Sequence, residues 1–565
     1  MRSFCRVHVA ITEKTRKDYL MKNRLNVRLS QPQLWNGIVV ILIILGVLFR
    51  VTNLDRPVYW VDEVATSMRV SGYTQAEVIE QVATEVPLRV SDLQRFQAIR
   101  PVEQGAAARH PLAVLMRVLV QSPEHAPLYF VLARLWAGLF GDSVVAMRSL
   151  PVLFGLLGIP AMYVTGRSLF NQMKDAQAKM VAKTAAGLLA ISPFFVAYSQ
   201  EARPYSLWIL LLLLTTQCLW RSLQTARWRW WIAYGTCLVL TMYTSLLTLL
   251  VVFGQGLAVL LWYRQRLYAY LITVAIALSA FFPWAIVILT QWSKLQSNTV
   301  WMQLYMPIWA TLGTWFYSLA VLFFDVPVAE SPLIFGVQVI TATATISLIG
   351  YASYVFIRQT SDRLWGLVLA TAFSIPGSLL LIDLLRSGQA AATPRYLMPT
   401  HLAVLLVVAY LLCDHLLFKY SSATKLWGLV TALLLTVSLI SCLIPQSSPY
   451  LKSRNLSNAD LTTLLNNVRS PYLVTTPSSI QDLISLSYDL ESGITFYVLP
   501  SETASPTDLL TGILSEGKAT FLLAPSTQAK QEVEDSQRLK LTKLYQPPPL
   551  ISGGFALTLW QVELS

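Results

Sequence analysis

Long apolar runs recur along the chain, and short polar segments separate them. A helix rises 1.5 Å per residue, so about twenty apolar residues cross the hydrocarbon core of a bilayer. The pattern predicts membrane-spanning helices at 35–52, 145–166, 184–200, 204–221, 230–246, 247–263, 267–290, 332–357, 364–383, 396–418 and 424–444. Two further apolar segments, 126–140 and 306–324, are short or end near acidic residues. We place both along the outer membrane surface, giving eleven spans, or thirteen if both cross.

The basic residues between these runs predict the orientation of the bundle. Cytoplasmic loops of membrane proteins carry an excess of Lys and Arg. With a basic N-terminal tail, 1–34, in the cytoplasm, the strong clusters between spans all fall on the same side: Arg167/Lys174/Lys179/Lys183, Arg221/Arg227/Arg229, Arg264/Arg266, Arg358/Arg363 and Lys419/Lys425. The apolar run after the tail is long enough to span, and no small-residue cleavage site follows it. We therefore expect an integral protein of the plasma (inner) membrane, with the N-terminus inside.

Two large regions then lie outside, the loop 53–144 and the tail 446–565. The tail alternates short apolar strands with helix-like stretches, which is typical of a small α/β domain. The predicted strands are 471–476, 495–499, 519–524 and 555–563, and the predicted helices are 479–488, 506–515 and 526–537. The fold class is therefore an all-α polytopic membrane protein, with a transmembrane domain over 35–445 and an α/β external domain over 446–565.

Composition agrees with a chain that lies largely in lipid. Of 565 residues, 55% are hydrophobic and 13% charged, and the mean hydropathy is +0.52, whereas soluble proteins carry roughly a quarter charged residues. The net charge of +13 is spread over short clusters, so it does not indicate nucleic-acid binding. The cysteines are scattered through apolar runs with no paired spacing, which predicts neither disulfides nor a metal site.

Acidic residues at the predicted outer face are the first candidates for chemistry, because charges near lipid are costly. Asp62 and Glu63 follow the first span, and a carboxylate held at the external mouth of the bundle would be available as a general base. The alternative is a pair of solvated acids, or acids at the start of a surface helix. Glu201 is the sole Asp or Glu between Asp175 and Asp325. It either belongs to the same external site or simply pairs with the neighbouring Arg203.

External arginines are the second group, because they oppose the cytoplasmic bias of basic residues. Arg386, Arg395 and the adjacent Tyr396 lie at the external end of the tenth span. The planar guanidinium suits a phosphate group, and the alternative is contact with lipid headgroups. His125 precedes the short apolar segment 126–140, and a lone loop histidine is usually just solvated.

Four motifs, in order, resemble bacterial glycosyltransferases of the GT-C fold. The segment HAPLYFVLARLWAGLFGDSVVAMRSLPVLFGLLGIPAMYVTGRSLF is similar to the family's HPPLYY…LFG…RLPS…GRRLF signature. SPFFVAYSQEARPYSLW and PRYLMP are similar to its SP…YSQEAR.Y and RYL.P segments, and the Asp62-Glu63 pair lies in the first external loop. The family comprises the family-39 and protein-mannosyltransferase-like enzymes, including the aminoarabinose transferase of lipid A. The resemblance covers about 35–418.

The resemblance implies transfer of a sugar from a polyprenyl-phosphate carrier to a lipid, glycan or protein acceptor, with inversion at the anomeric carbon. Asp62 would deprotonate the acceptor hydroxyl, with Glu63 and Glu201 orienting the acceptor or supporting Asp62. Arg203 and Arg395, with Tyr396, would neutralise the departing phosphate.

The sequence departs from the family pattern at two places. His125-Ala126-Pro127 replaces the commoner His-Pro-Pro, and the loop 74–110 is longer than expected. This loop is interpreted as a solvated insertion, with an amphipathic lid over the acceptor site as the alternative. No metal cluster is visible, although related folds include metal-dependent members. A divalent cation held by Asp62 and Glu201 therefore stays open.

The rival classes are a transporter or flippase of lipid-linked sugars, a polymerase or ligase of lipid-linked saccharides, and a non-catalytic scaffold. A transporter is expected to carry charges near mid-bilayer and pseudo-symmetric halves. A polymerase or ligase is expected to have its large external loop late in the chain. Here the acids gather at one face and the long loop is early, which favours an enzyme.

Overall fold

The computed structural model describes residues 32–99, 111–325, 332–419, 423–447, 457–547 and 557–565. Almost all of the predicted basic tail 1–34, and residues 100–110 of the first external loop, lie outside the described residues. The chain is predominantly helical, and its strands form one sheet near the C-terminus.

The helices are numbered here in chain order. They are α1 Pro32–Val51, α2 Val61–Ser71, α3 Gln75–Val82, α4 Val90–Gln94, α5 Pro111–Val120, α6 Leu128–Phe140, α7 Val144–Leu169, α8 Asp175–Ile191, α9 Pro193–Ser199, α10 Tyr205–Thr225, α11 Trp228–Met242, α12 Thr248–Trp262, α13 Leu267–Thr290, α14 Trp292–Asn298, α15 Ile308–Ala320, α16 Pro332–Gln359, α17 Asp362–Arg386, α18 Met398–Cys413, α19 Thr424–Ser447, α20 Ser457–Asn466, α21 Ile480–Ser487, α22 Thr507–Ser515 and α23 Thr527–Asp535.

Within the described residues, eight helices are long and apolar enough to cross a membrane, or nine if the bent pair α8 and α9 counts as one span. The chain is therefore an integral membrane protein. The number of candidate spans in the described residues is lower than the eleven predicted. The spans predicted at 230–246 and 247–263 are helices of fifteen residues each, α11 and α12. Each is about 22 Å long, shorter than the roughly 30 Å hydrocarbon core. The two uncertain segments are thirteen-residue helices, α6 and α15.

The span predicted at 184–200 is broken, with a 61° bend between α8 and α9. Pro193 starts α9 and has no N–H for a continuous helix. The break frees the last carbonyl groups of α8, which need other donors. The buried guanidinium of Arg50, at the end of α1, donates to the carbonyl oxygens of Leu189 (2.9 Å) and Ala190. An arginine on the first span therefore caps the broken helix.

The described part of the loop 53–144 is not the solvated insertion that the sequence suggested for 74–110. In its described part, Val78, Val82, Leu93 and Phe96 are completely buried. Their burial places α3 and α4 within the main apolar core, together with α2, α5 and α6. The prediction was wrong because the charges of this loop occupy the outer faces of short amphipathic helices.

The C-terminal region folds as a five-stranded sheet with helices, as predicted. Its strands are β1 Tyr472–Thr475, β2 Thr495–Val498, β3 Thr520–Leu523, β4 Leu539–Tyr545 and β5 Leu559–Leu564, in the order β2-β1-β3-β5-β4. Strand β1 pairs in parallel with β2 and β3, and β5 pairs antiparallel with β3 and β4. Four of these strands were predicted, and β4 was missed.

The sheet region is joined to the loop 53–144 by backbone and side-chain contacts. Leu88 exchanges two backbone hydrogen bonds of 2.8 Å with Phe496 of β2, so the loop adds a one-residue antiparallel bridge at the sheet edge. Helix α21 packs against α2. The loop that carries Asp62 therefore lies between the helical bundle and the C-terminal sheet.

Candidate active site

A cavity of about 1040 Å³ opens between the loop 53–144, the turn before α10, α14 and the segment before α18. Five of the predicted site residues line it: Asp62, His125, Arg203, Arg395 and Tyr396. They come from positions far apart in the sequence, so the fold brings them to one place. A cavity of this size accommodates a sugar and a phosphate group.

Asp62 lies in the first turn of α2, where the helix dipole favours negative charge. Its side chain is 30% exposed, and its Oδ2 is 3.4 Å from Nη2 of Arg203, which is only 6% exposed. Nη1 of Arg203 donates to the backbone oxygen of Asp62 (3.1 Å) and to Oγ1 of Thr66 (3.0 Å). The arginine thus holds the start of α2 while the carboxylate of Asp62 faces the cavity.

Glu63 is placed differently from its neighbour. Its side chain is fully buried and forms a two-pronged ion pair with Arg148 of α7, with Nε–Oε1 2.8 Å and Nη2–Oε2 2.6 Å. Oε1 also accepts from the backbone N–H of Ala202 (2.8 Å). The remaining donors of Arg148 bind the carbonyl oxygens of Leu54, Pro57 and Val58. This geometry favours a structural role for Glu63, which ties the Asp62 turn to α7 and to the Arg203 turn.

Arg395 forms the opposite wall with Tyr396. Its Cζ is 5.9 Å from the ring centre of Trp301 and 5.8 Å from that of Tyr396, and within the described residues its buried Nε has no hydrogen-bond partner. Burial acts to lower the pKa of Arg395, but its interactions with Tyr205 and Asp62 outweigh burial and raise it. Burial likewise opposes a rise in the pKa of Arg203, for which Asp62 is the leading cause. Both guanidinium groups therefore stay charged, and Arg395 retains a free donor for an anion.

His125 is a neutral member of the site. Burial, followed by the nearby charges of Arg69, Arg203 and Arg395, holds its pKa well below the ordinary value. Its Nε2 is 3.6 Å from Glu124, whose carboxylate accepts hydrogen bonds of 3.0 and 3.2 Å from Asn298. A neutral imidazole here offers a hydrogen bond to a hydroxyl or phosphate oxygen without adding charge.

Besides Glu63, two further predicted site residues lie away from the cavity. Arg386, at the end of α17, is exposed, and Glu201 is partly buried in the turn before Arg203; within the described residues, neither lines the cavity. Conversely, Arg69, Glu124 and Trp301 line it and were not singled out in the sequence. Glu124 directly precedes the quoted His125 motif, which was the available signal. Arg69 and Trp301 carried none, because their relation to the site depends on tertiary contacts.

A metal centre was left open for Asp62 and Glu201. Within the parts of the chain that the structure describes, no group of three or more His, Cys, Asp and Glu side chains could hold a metal ion. Asp62 instead lies beside a guanidinium group. The donor set of this cavity does not fit a divalent cation.

One protein family matches a stretch of the sequence that contributes residues to this site. Residues 124–287 match the family described as dolichyl-phosphate-mannose-protein mannosyltransferase. The chain therefore resembles the protein-mannosyltransferase-like glycosyltransferases. The matched segment contains His125 and Arg203, whereas Asp62 and Arg395 lie outside it. The resemblance inferred from the sequence motifs is confirmed, and it indicates a glycosyltransferase that uses lipid-linked sugar.

No curated protein matches the chain in sequence. Among solved structures, ArnT from Cupriavidus metallidurans bound to undecaprenyl phosphate is 12% identical, with a TM-score of 0.47 over 94% of this chain and 97% of that chain. The oligosaccharyltransferase AglB from Archaeoglobus fulgidus, in complex with an inhibitory peptide and a dolichol-phosphate, is 12% identical, with a TM-score of 0.48 over 94% of this chain and 74% of that chain.

Proposed function

We propose that this chain transfers a sugar from a polyprenyl-phosphate carrier to an acceptor hydroxyl at the external membrane face, with inversion of the anomeric carbon. One observation carries the proposal: a partly exposed carboxylate, Asp62, shares a cavity with two buried, permanently charged arginines, Arg203 and Arg395. The family resemblance supports the transfer of lipid-linked sugar.

Asp62 acts as the general base in this mechanism. The acceptor hydroxyl loses its proton to the carboxylate while its oxygen bonds to the anomeric carbon. The bond from that carbon to the carrier phosphate breaks, and its electron pair stays on the phosphate oxygen. Because a phosphate leaves readily at neutral pH, the site needs a base and cations more than an acid.

Arg203 and Arg395 stabilise the phosphate as its charge grows. The free Nε of Arg395 supplies a donor without displacing a protein partner, and such charge-assisted bonds are among the stronger hydrogen bonds. Arg203 is held by Thr66 and by the backbone of Asp62, so it is preorganised. Apolar side chains of the same cavity, including Phe130, Trp208 and Leu379, suit the first isoprene units of the carrier.

The other carboxylates that line the cavity already have side-chain partners, which favours a single displacement. Glu77 pairs with Arg117 (2.7 Å), and Glu124 accepts from Asn298. Asp62 is thus the carboxylate best placed to act once, as a base. One displacement inverts the anomeric centre, whereas a double displacement through a glycosyl-enzyme retains it.

The test compares two external arginines in detergent-purified protein, with a panel of polyprenyl-phosphate sugars and envelope acceptors. We expect wild type to release free polyprenyl phosphate, and Arg395→Gln to lower the rate at least about a hundredfold. Arg386→Gln, an exposed arginine outside the cavity, is the matched control and should retain the rate. Absence of release by wild type, together with movement of labelled lipid between leaflets, would replace the proposal with a transporter.

A further inference from the structure

We propose that helix α21 of the C-terminal region positions the turn that carries Asp62, so that this region forms part of the active site. Ser485 and Tyr488 are the positioning residues, acting through Tyr59. The inference rests on the proposed function, in that Asp62 is the group being positioned. It assigns a role to the C-terminal region, which the sequence left without one.

The first contact is a buried hydrogen-bond chain. Asn458 Nδ2 donates to Ser485 Oγ (3.1 Å), and Ser485 Oγ donates to the backbone oxygen of Tyr59 (2.8 Å). Ser485 and Asn458 are completely buried. A buried carbonyl that loses its donor costs about 1–3 kcal/mol, so the native position of the Tyr59 peptide depends on α21.

The second contact is aromatic. The Tyr59 ring meets the Tyr488 ring edge-on, with 5.2 Å between ring centres and 61° between planes. The Cζ atom of Arg148 also lies 5.2 Å from the centre of the Tyr59 ring. The ring is 3% exposed, and it therefore contacts both the C-terminal region and the arginine that binds Glu63.

Tyr59 lies just before α2, the helix that carries Asp62. Trp60 is the N-cap of α2, and its carbonyl oxygen accepts from the N–H groups of Glu63 (2.9 Å) and Val64 (3.0 Å). Tyr59 is adjacent to that cap and three residues before Asp62. A shift of its peptide is transmitted to the first turn of α2, and misplacing a catalytic group by about 1 Å can lower a rate about a hundredfold.

Further contacts fix how α21 sits on the loop. Gln481 Nε2 donates to Oε1 of Gln75 (3.2 Å), and both residues line the cavity. Gln94 Nε2 donates to the backbone oxygen of Ser487 (3.1 Å). The Gln94 bond crosses the same interface as the Ser485 bond but ends away from Tyr59, which makes it a matched control.

The experiment compares Ser485→Ala with Gln94→Ala in the full chain, since each removes one hydrogen bond across this interface. We expect Ser485→Ala to lower kcat about tenfold or more with an unchanged KM for the carrier lipid, and Gln94→Ala to leave both unchanged. In an Asp62→Asn background, Ser485→Ala should alter the residual rate less than about twofold, because residues that act as a unit are not additive. Equal effects of the two alanine variants, or full additivity with Asp62→Asn, would overturn the inference.

Hydrogen exchange separates this inference from the proposed function. The amides of Glu63 and Val64 should exchange faster in Ser485→Ala than in wild type, and should be unaffected in Gln94→Ala. If wild type transfers no sugar, the proposed function fails and exchange alone decides the positioning role. Unchanged exchange in Ser485→Ala overturns the inference whatever the rates.

Discussion

The buried ion pair between Glu63 and Arg148 is the strongest single restraint on the proposed catalytic turn. The side chains are 0% and 1% exposed, and two short hydrogen bonds join them. The perturbation is Arg148→Met, which keeps an unbranched chain and removes the charge. It leaves the Glu63 carboxylate buried beside one remaining donor, the N–H of Ala202.

The expected loss follows from what the substitution leaves behind. Removing one partner of a buried pair typically costs about 3–5 kcal/mol, because an uncompensated charge stays in a medium of low polarity. Three carbonyl groups, of Leu54, Pro57 and Val58, also lose their donors, and Leu54 and Val58 are buried. We therefore expect the free energy of unfolding to fall by about 5 kcal/mol, the upper end of this range.

The assay is unfolding of purified protein in mixed micelles, with the double variant Arg148→Met/Glu63→Leu as the comparison. Replacing both charges removes the buried unpaired carboxylate, so the double variant should recover about half of the loss. A loss below about 1 kcal/mol in Arg148→Met would refute the reasoning. So would a double variant whose loss is the sum of the two single losses.

Three further predictions concern stability. The pKa of His125 is lowered by burial and neighbouring cations, so below about pH 6.5 the unfolded chain binds a proton that the folded chain does not bind. The free energy of unfolding should therefore fall as the pH is lowered towards about 5, and His125→Gln should lessen that fall in melting curves recorded at several pH values. Burial raises the pKa of Asp489 to about 6, so the folded state loses stability as pH rises from about 4 to 6. Asp489→Asn should raise the free energy of unfolding by about 1–2 kcal/mol near pH 7.5 and by less near pH 4.5. An equal gain at both pH values would contradict an effect of the raised pKa. Arg50→Met should destabilise by about 2–4 kcal/mol in micelle unfolding, because the last carbonyls of α8 lose their donors, and a loss confined to below 1 kcal/mol would show that water replaces them.

The local hydropathy pattern was sufficient to predict elements whose side chains are apolar along most of their length. The long spans carry continuous apolar runs, and the strands β1, β2, β3 and β5 are mostly apolar. These elements were found within a few residues. Strand β4 was missed because it lies at the sheet edge, and most of its side chains are exposed or partly exposed, including Lys540 and Lys543. An edge strand needs few apolar residues, so hydropathy does not reveal it.

Helix breaks were harder, because their causes lie elsewhere in the chain. The bend at Pro193 is stabilised by Arg50, which is more than a hundred residues earlier. Nothing near 190 in the sequence indicates that a donor is available there. Similarly, residues 243–247 separate α11 from α12 within what the hydropathy pattern predicts as two adjacent full-length spans.

The candidate site was partly predictable, because charge near lipid is rare. Asp62 and Arg395 were singled out on that ground, and Arg203 received its role from the family resemblance; all three line one cavity. The separate environments of Asp62 and Glu63 were not predictable, since adjacent residues on a helix point about 100° apart and the difference depends on Arg148, 85 positions later along the chain than Glu63. Arg148 itself, a charge within a long apolar helix, was the overlooked signal.

The central claim, that Asp62 is the base for sugar transfer from a lipid phosphate, is tested most directly by Asp62→Asn. The measurement is the rate of polyprenyl phosphate release at saturating donor, with bound carrier quantified in the same samples and Asp55→Asn, an exposed acid of the same loop, as control. The account predicts that Asp62→Asn binds carrier like wild type but releases it at least about a hundredfold more slowly, while Asp55→Asn is unaffected. Release by Asp62→Asn within about threefold of wild type would contradict it.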